Sequence, residues 1–409
     1  MKRLHLRAAA ALAVAALVGV GYQTAFGSET GSSRQAPASA SAAAPAAASS
    51  MRVAYYSTSL SAELTDVTAL SQDEGWAVGT SQNDDGTGDP KPVLLHRTDG
   101  KWAQSPLPEG AEKAALTQIE GSSPDNVWLF GRSTAGENKP VAFRWDGKTW
   151  QSVKAPASDN AWGGQRSAAV LAADDVWLLG GEKKAHHWDG KKWSTSQLPQ
   201  NATSVSGTGS GDVWAVGYRD TDDSGGGPMS QPAAMHWDGT EWKTTETPEY
   251  RFPDPGPPEE TASLDSVVTV SGKEVWAVGT HTFNHGEGGP EPEEENILLR
   301  WDGEKWAKAP AKATEKASLE TASDGDGGLV LGRYWHMTKD GTLHEIARHK
   351  PVPGRSGKVE EVDKKQRFWP SETVLVPGTR QVWSAGVIEL GAYGDANFRR
   401  AGVLSYDAG

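Results

Sequence analysis

Two short acidic segments contain carboxylate groups, which are ligands that calcium binds in proteins. Residues 83–89 read NDDGTGD and residues 220–226 read DTDDSGG, so carboxylates alternate with small residues on flexible backbone. Neither segment follows the twelve-residue EF-hand pattern, and solvated acidic loops are the simpler interpretation. No cofactor is therefore expected, with Ca²⁺ left open as a possibility. The candidate ligands are Asp84, Asp85, Asp222 and Asp223.

A pair of histidines offers a second type of metal site. His281 and His285, followed by Glu287, supply the imidazole and carboxylate groups that bind transition metals. The sequence around them predicts no regular element that would fix their spacing, so the pair is a weak metal candidate.

Several aromatic residues lie in segments rich in glycine, proline or charge. Such rings can stack against sugars or extended peptides, because each combines a large apolar face with a polar rim. The alternative is that each ring packs against its own scaffold. Trp162, flanked by Asn160 and Gly163, is the first candidate for a ligand contact. The others are Tyr218, Tyr250, Phe252, Trp335 and Trp369.

Signatures of catalysis are missing from the sequence. It has no Gly-x-Ser-x-Gly elbow, no phosphate-binding loop and no His-Glu-x-x-His motif. With no cysteine among 409 residues, disulfides, thiolate metal sites and cysteine nucleophiles are excluded. Paired carboxylates could serve a glycosidase or lyase, but an acidic chain makes such pairs common. The sequence therefore assigns no catalytic residue and favours a protein that is not an enzyme.

A recurring Trp-x-x-Gly pattern organises residues 51–409. The segments GWAVG, VWLFG and VWLLG are three examples, and glycine follows three residues after the tryptophan in each. The unit recurs about every 51 residues, which is typical of propeller repeats. The recurring positions are Trp76, Trp128, Trp177, Trp214, Trp276, Leu329 and Trp383.

Asp-Gly pairs form the second half of each unit. Asp-Gly between two β-prone runs predicts a two-residue hairpin turn of type I′. Each unit is therefore interpreted as four strands, and a proline after the last strand marks that strand as an edge. The pairs begin at Asp99, Asp146, Asp189, Asp238, Asp302 and Asp340.

Four-stranded units repeated in this way predict an all-β, seven-bladed β-propeller over residues 51–409. Glycine at the end of the second strand, then an aromatic residue, aspartate and tryptophan, resembles the kelch and galactose-oxidase-like repeats of secreted propellers. The double glycine of kelch repeats occurs only at Gly180 and Gly181. The copper oxidases of that group need a cysteine-linked tyrosine, which this chain cannot form. The segment MRVAYYS from Met51 is expected to complete the last blade and so close the ring.

Repetition separates scaffold from functional candidates. A tryptophan at one position in every unit is expected to be core, between neighbouring blades. Basic residues two positions before the turn aspartate also recur, and we interpret them as a solvated face of the third strand. They are Arg97, Arg144, His187, His236 and Arg300.

The N-terminal residues predict export. Lys2, Arg3 and Arg7 precede an apolar run from Ala8 to about Gly21, so residues 1–27 have the layout of a secretory signal. The run is shorter than the ~20 residues that span a bilayer. Residues 28–50 are rich in alanine, serine and proline, as in a flexible linker. We expect a secreted protein without a membrane span in the mature chain.

The mature chain is acidic. Removing the four basic and one acidic residues of 1–50 from the totals of 40 and 53 leaves 36 against 52, a net charge of −16. Nucleic acid is therefore not an expected partner.

Loop lengths indicate where binding occurs. Connections between the second and third strands, and between units, emerge on one face and include the long segments. We expect a secreted binding protein that recognises a cell-wall or extracellular glycan, or another secreted protein, through this face. The alternatives are a polysaccharide-cleaving enzyme acting at the same face and a scaffold whose role is assembly.

Overall fold

The computed structural model describes residues 50–136, 138–157, 168–181, 183–221, 229–254, 256–284 and 291–409. The predicted signal segment, and the predicted linker up to residue 49, lie outside these residues. Within them, no helix has the length and apolar character needed to cross a bilayer.

The described chain is built from antiparallel four-stranded sheets in which neighbours in sequence are neighbours in space. In each sheet the first strand is innermost and the fourth lies at the edge. The first three sheets are β2 Ala62–Ala69, β3 Gly75–Ser81, β4 Lys91–Thr98 and β5 Lys101–Gln104; β6 Ala114–Ser123, β7 Asn126–Ser133, β8 Pro140–Trp145 and β9 Trp150–Val153; and β10 Ala168–Ala172, β11 Asp175–Leu179, β12 Lys184–Trp188 and β13 Trp193–Gln197.

The next two sets of four strands share one sheet through a single parallel pair, Ser230 with Thr261. They are β14 Asn201–Gly209, β15 Asp212–Asp220, β16 Ser230–Trp237 and β17 Trp242–Thr245, then β18 Thr261–Ser271, β19 Glu274–Thr282, β20 Glu295–Trp301 and β21 Trp306–Lys308. The following sheet has short strands, β22 Ala322–Ser323, β23 Leu329–Leu331, β24 Trp335–Met337 and β25 Leu343–Glu345.

The last sheet combines the two ends of the described chain. Its strands β26 Arg367–Leu375, β27 Gln381–Leu390 and β28 Phe398–Asp407 are joined by β1 Arg52–Tyr56, which pairs antiparallel with β28. The extra strand predicted before the first unit thus supplies the outer strand of the last sheet. The described helices are short: α1 Ala311–Thr314 and 3₁₀ turns at Ala111–Lys113, Val362–Lys365 and Gly394–Ala396.

The recurring glycine has a steric cause. A Cβ at Gly79 would lie 2.0 Å from the carbonyl oxygen of Glu63, and one at Gly279 would lie 1.8 Å from that of Ser263. In both sheets the innermost strand has a bulge immediately after this contact. Only glycine allows the two backbones to approach so closely.

The recurring tryptophans are core, as the sequence predicts. Trp76 is fully buried, and its ring centroid lies 5.4 Å from Trp145 and 5.3 Å from Trp150 of the next sheet. The second-strand indole of one sheet is thus held between two indoles of its neighbour. The same arrangement joins Trp128 to Trp188 and Trp193, Trp177 to Trp237 and Trp242, and Trp214 to Trp301 and Trp306.

Four of the five basic residues of the third strands, Arg97, Arg144, His187 and His236, are partly buried, so the interpretation as a solvated face is wrong for them; Arg300 is half exposed. His96 stacks on Trp76 with ring centroids 3.6 Å apart, and its Nε2 lies 2.6 Å from Glu74. His96, and not Arg97, is opposite the core tryptophan, because the turn that follows is two residues shorter than in other sheets. Equivalent contacts are made by Arg144 on Trp128, His187 on Trp177, His236 on Trp214 and Arg300 on Trp276.

Only one of the first five Asp-Gly turns has the predicted type. Asp99 and Gly100 both have positive φ, as a type I′ turn requires. At the other four turns only the glycine has positive φ. At Asp146, the carboxylate accepts hydrogen bonds from the backbone N–H groups of Lys148 and Thr149, at 2.9 and 2.8 Å. These bonds stabilise a wider four-residue turn. Asp189, Asp238 and Asp302 form the same turn.

Candidate functional site

Strand direction divides the described structure into two ends. Because the strands of each sheet alternate in direction, connections between second and third strands and connections between sheets emerge together. We call this end the loop face; it includes residues 82–90, 246–260, 309–321, 346–366 and 391–397. The opposite end, the turn face, carries the connections between first and second strands and the Asp-Gly turns.

Trp369 lies at the loop-face end of β26. Its side chain is among the few large hydrophobic groups exposed on the described surface, with 37% of its area accessible. The guanidinium carbon of Arg333 lies 3.5 Å from the centroid of the indole ring. This is a close cation–π stack between residues of two different sheets, with Arg333 in the tight connection from β23 to β24.

Two more arginines, Arg348 and Arg367, lie close enough to Arg333 to affect its charge. Partial burial, together with the positive charges of Arg367 and Arg348, lowers the pKa of Arg333, against the raising effects of Tyr334 and Glu320. The guanidinium of Arg348 also lies 5.7 Å from the ring centroid of Tyr334.

Trp335 follows Arg333 by two residues, and its ring packs in part against the buried cluster that includes Trp276 and Met337. Trp335 is the first residue of β24, its ring is partly buried, and the ammonium of Lys316 lies 5.1 Å from the ring centroid. We call the whole group the basic-aromatic patch. Its members are Lys316, Arg333, Trp335, Arg348, Arg367 and Trp369.

Tyr250 does not belong to an open stacking surface. Only 6% of the residue is exposed, and the ammonium of Lys308 covers its ring at 3.6 Å from the centroid. Its backbone N–H and carbonyl form two hydrogen bonds with the side-chain amide of Gln231, of 2.8 and 2.7 Å. Burial and the nearby Glu295 raise the pKa of the phenol. Tyr250 therefore anchors the connection 246–260 and does not offer its ring to a ligand.

Phe252, from the same connection, is also buried. Its ring stacks on His281 with centroids 3.9 Å apart, and its backbone N–H donates to Glu260. Tyr218 is partly buried on β15, where its backbone pairs with Asn201 and Pro232. Trp162 lies outside the described residues.

His281 is a structural residue. It is completely buried, with Nε2 2.7 Å from Glu260 and Nδ1 3.3 Å from Glu295. Both ring nitrogens therefore face a carboxylate, and the imidazole ties the connection 246–260 to β19 and β20. His285 lies outside the described residues.

The acidic segment at residues 83–89 is also held by contacts within the chain. Asp84 accepts a 2.8 Å hydrogen bond from the backbone N–H of Leu60, and its carbonyl accepts one from Arg355. Asp85 accepts bonds from the N–H and hydroxyl of Thr87, which lower its pKa. Asp222 and Asp223 lie outside the described residues. Across the described ranges, no group of three or more His, Asp or Glu residues is placed to hold a metal ion.

A cavity of about 610 Å³ lies between the innermost strands and extends to the turn face. Glu120 and Glu372 line it, and Asp66 lies close to both. Both oxygens of Asp66 accept backbone N–H groups, from Val67 and from Ile119 of the next sheet, each at 2.7 Å. Burial, then the charges of Glu120 and Glu372, raise the pKa of Asp66 well above its usual range. Sequence patterns gave no indication of this carboxylate, because the bulge that turns it inward is not visible in the strand periodicity.

No protein-family model and no curated protein matches the chain. Among solved structures, the chain is similar to the β-propeller domain of the Trilobed protease from Pyrococcus furiosus, with 12% identity and a TM-score of 0.52 over 86% of this chain and 95% of that one. It is also similar to YCF48 bound to a D1 peptide, with 12% identity and a TM-score of 0.50 over 88% of this chain and 99% of that one. At this identity the likeness shows the fold alone. The described all-β chain of four-stranded antiparallel sheets therefore has a β-propeller fold, and the kelch-like assignment stays a prediction.

Proposed function

We propose that the mature chain is a secreted, non-enzymatic binding protein that recognises an extracellular glycan through the loop face. The observation that carries the proposal is the basic-aromatic patch, where the exposed indole of Trp369 and the partly buried indole of Trp335 lie among cations. Amphipathic rings on a rigid scaffold provide contact area for a sugar at a low entropic cost. The prediction of aromatic contacts is retained for these two residues and, outside the described residues, for Trp162.

The scaffold that we propose is a closed ring of seven blades. The contact of Trp102 on β5 with Trp383 on β27 supports closure, since it joins the first sheet to the last. The pairing of β1 with β28 supports it as well, because the N-terminal strand then ties the last blade to the first. A ring of this kind keeps the loop face rigid.

Binding is favoured over catalysis by the composition of the patch. Its six members are arginine, lysine and tryptophan, so it contains neither a nucleophile with an adjacent base nor a pair of carboxylates. The described carboxylates that influence one another, Asp66, Glu120 and Glu372, lie near the central cavity. Asp66 is 5% exposed, and each of its oxygens accepts a hydrogen bond from a backbone N–H group, so neither oxygen is offered to a substrate as a general acid or base would require.

The proposal is tested by immobilising a protein of residues 51–409 and measuring how much of each cell-wall fraction or purified polysaccharide it retains. We expect the double variant Trp335→Ala with Trp369→Ala to lose at least tenfold in glycan retention while keeping its melting temperature within a few degrees. Tyr393→Ala is the matched control, because Tyr393 is another exposed loop-face aromatic, 41% accessible, outside the patch. Trp162→Ala is measured in parallel. Equal retention by the wild type and the double variant would contradict the proposal.

The competing function, a polysaccharide hydrolase or lyase, has a separate test. Incubation with the polysaccharides that are retained, followed by reducing-end and unsaturated-product analysis, should give no new chain ends. Release of oligosaccharides that depends on Glu120 or Glu372 would instead support an enzyme. If the immobilised chain retains another secreted protein and no glycan, the result would favour the alternative of a protein partner.

A further inference from the structure

The basic-aromatic patch is positively charged, whereas the chain as a whole is acidic. Residues 51–409 carry a net charge of −16. Against this background, Arg333, Arg348 and Arg367 come together from three separate segments, β23–β24, the connection 346–366 and the start of β26. Among the described residues, none of the three guanidinium groups is hydrogen-bonded or paired with a carboxylate, and Glu320 is the one carboxylate near enough to Arg333 to raise its pKa. Other described arginines, such as Arg399 and Arg300, do have carboxylate partners.

The stacking on Trp369 orients the central arginine. A guanidinium that lies over an aromatic face keeps its N–H donors at its edge, where they can meet a second group in the plane. The indole thus fixes Arg333 without using the fork that binds carboxylate, sulfate or phosphate in bidentate fashion. A side chain held in this way loses little conformational entropy when an anion binds.

The surroundings of Arg333 favour an anion. Arg348 and Arg367 place two positive charges near its own, and its partial burial removes part of the water that would screen them. Arrangements of this kind are unfavourable alone and become favourable when a negative group is placed between the charges. Lys316, next to Trp335, extends the positive potential along the loop face.

We propose that Arg333, Arg348 and Arg367 bind the oxyanion of an acidic glycan, whose sugar ring contacts the exposed part of Trp369. The ligand class is an oligosaccharide with carboxylate or sulfate groups. This inference rests on the proposed function and narrows its substrate class.

A glycan with spaced charges fits better than a dense polyanion. Nucleic acid places a charge at every ~1.7 Å of a duplex, and the acidic remainder of the chain would repel it outside the patch. A uronic acid or sulfated sugar carries about one charge per ring and has an apolar ring face that suits an indole. Acidic peptides share the charge but lack this flat face.

Calorimetric titrations of residues 51–409 test the inference with four ligands. They are oligogalacturonate, its fully methyl-esterified form, a chondroitin sulfate oligosaccharide and hexaglutamate. We expect at least one acidic sugar to bind at least tenfold more tightly than the methyl-esterified oligomer. Its Kd should rise several-fold between 25 and 200 mM NaCl, because charge pairs are screened by salt. Arg333→Ala and Arg333→Lys should both weaken binding, since lysine restores the charge but not the fork.

Arg251→Ala is the matched control, since Arg251 is an exposed loop-face arginine outside the patch. Arg348→Gln with Arg367→Gln repeats the test without touching the stack on Trp369, in case Arg333 variants fold poorly. Equal affinity for the acidic and methyl-esterified oligomers, with loss on Trp369→Ala, would overturn the anion site and leave glycan binding intact. Tighter binding of hexaglutamate than of either acidic sugar would overturn the inference in favour of a peptide. If neither an acidic nor a neutral glycan binds, both the inference and the proposed function fail.

Discussion

The indole of Trp383 on β27 packs edge-on against that of Trp102 on β5, with ring centroids 5.4 Å apart and an interplanar angle of 71°. The guanidinium carbon of Arg97 lies 4.9 Å from the centroid of the Trp383 ring. The last sheet therefore packs on the first through the same kind of contact that joins consecutive sheets. In the four sheet pairs from the first sheet to the fifth, a second tryptophan takes the place that Arg97 has here.

Removing either indole should destabilise the whole propeller. Trp383→Ala leaves a large void in a buried cluster, and we expect it to cost about 3 to 5 kcal/mol in the free energy of unfolding. Trp102→Ala should cost a similar amount. In a double-mutant cycle measured by denaturant unfolding, the pair should show a coupling of about 0.5 to 1.5 kcal/mol. Additive losses would argue that the two sheets do not depend on each other.

The recurring glycine gives a sharper test of the fold. Gly279→Ala would bring a methyl group to 1.8 Å from the carbonyl oxygen of Ser263, so strand β18 or β19 must shift. We expect a loss of about 2 to 4 kcal/mol in unfolding free energy. Gly209→Ala is the matched control, because a Cβ there meets nothing within 4 Å, and it should change stability by less than ~1 kcal/mol. Equal melting temperatures for the two variants would show that the close approach does not constrain the sequence.

The sequence predicted the features that repeat. A buried indole and a glycine forced by close backbone contact recur at one spacing because each sheet solves the same packing problem. Single features were less predictable. Tyr250 is in a connection rich in proline and charge, which suggested an exposed ring, yet Gln231 and Lys308 hold it in the core. The stack of Arg333 on Trp369 joins residues 36 positions apart in two sheets, so no local pattern indicates it.

The turn geometry was predictable only in part. Asp-Gly indicates a hairpin for both the two-residue and the four-residue turn. The number of residues in the turn depends on whether the aspartate side chain accepts hydrogen bonds from the backbone. At Asp146 the carboxylate accepts two backbone N–H groups and so stabilises the longer turn. That difference shifts the register by one residue relative to the first sheet, which is why His96, and not Arg97 at the recurring position, lies opposite Trp76.

Buried Asp66 should make stability depend on pH. Because its pKa is raised in the folded state above the ordinary value of about 3.9, folding is favoured when the group is protonated. The favourable contribution is present below pH ~4 and is lost as pH rises through the folded-state pKa. Asp66→Asn cannot ionise, so its stability relative to the wild type should increase from pH 4 to pH 8. The asparagine oxygen replaces only one of two acceptors, which adds a pH-independent cost.

Chemical unfolding of both proteins at several pH values measures this difference. Asp73→Asn, at an exposed turn on the first sheet, is the control for replacing an aspartate elsewhere in the chain. A constant difference between Asp66→Asn and the wild type over the whole range would contradict the raised pKa.

His281 should determine whether the connection 246–260 stays packed. Its imidazole stacks on Phe252 and bridges Glu260 and Glu295, so His281→Ala removes the contacts that hold this connection to β19 and β20. We expect faster proteolytic cleavage within residues 251–260, at a rate at least several-fold above the wild type, because local opening becomes easier. His344→Ala, on β25, is the control for loss of a histidine elsewhere. If His281 instead bound a metal in solution, chelation with EDTA would accelerate cleavage of the wild type to the rate of the variant, and added Zn²⁺ would reverse it. We expect neither effect, since both imidazole nitrogens already face carboxylates within the protein.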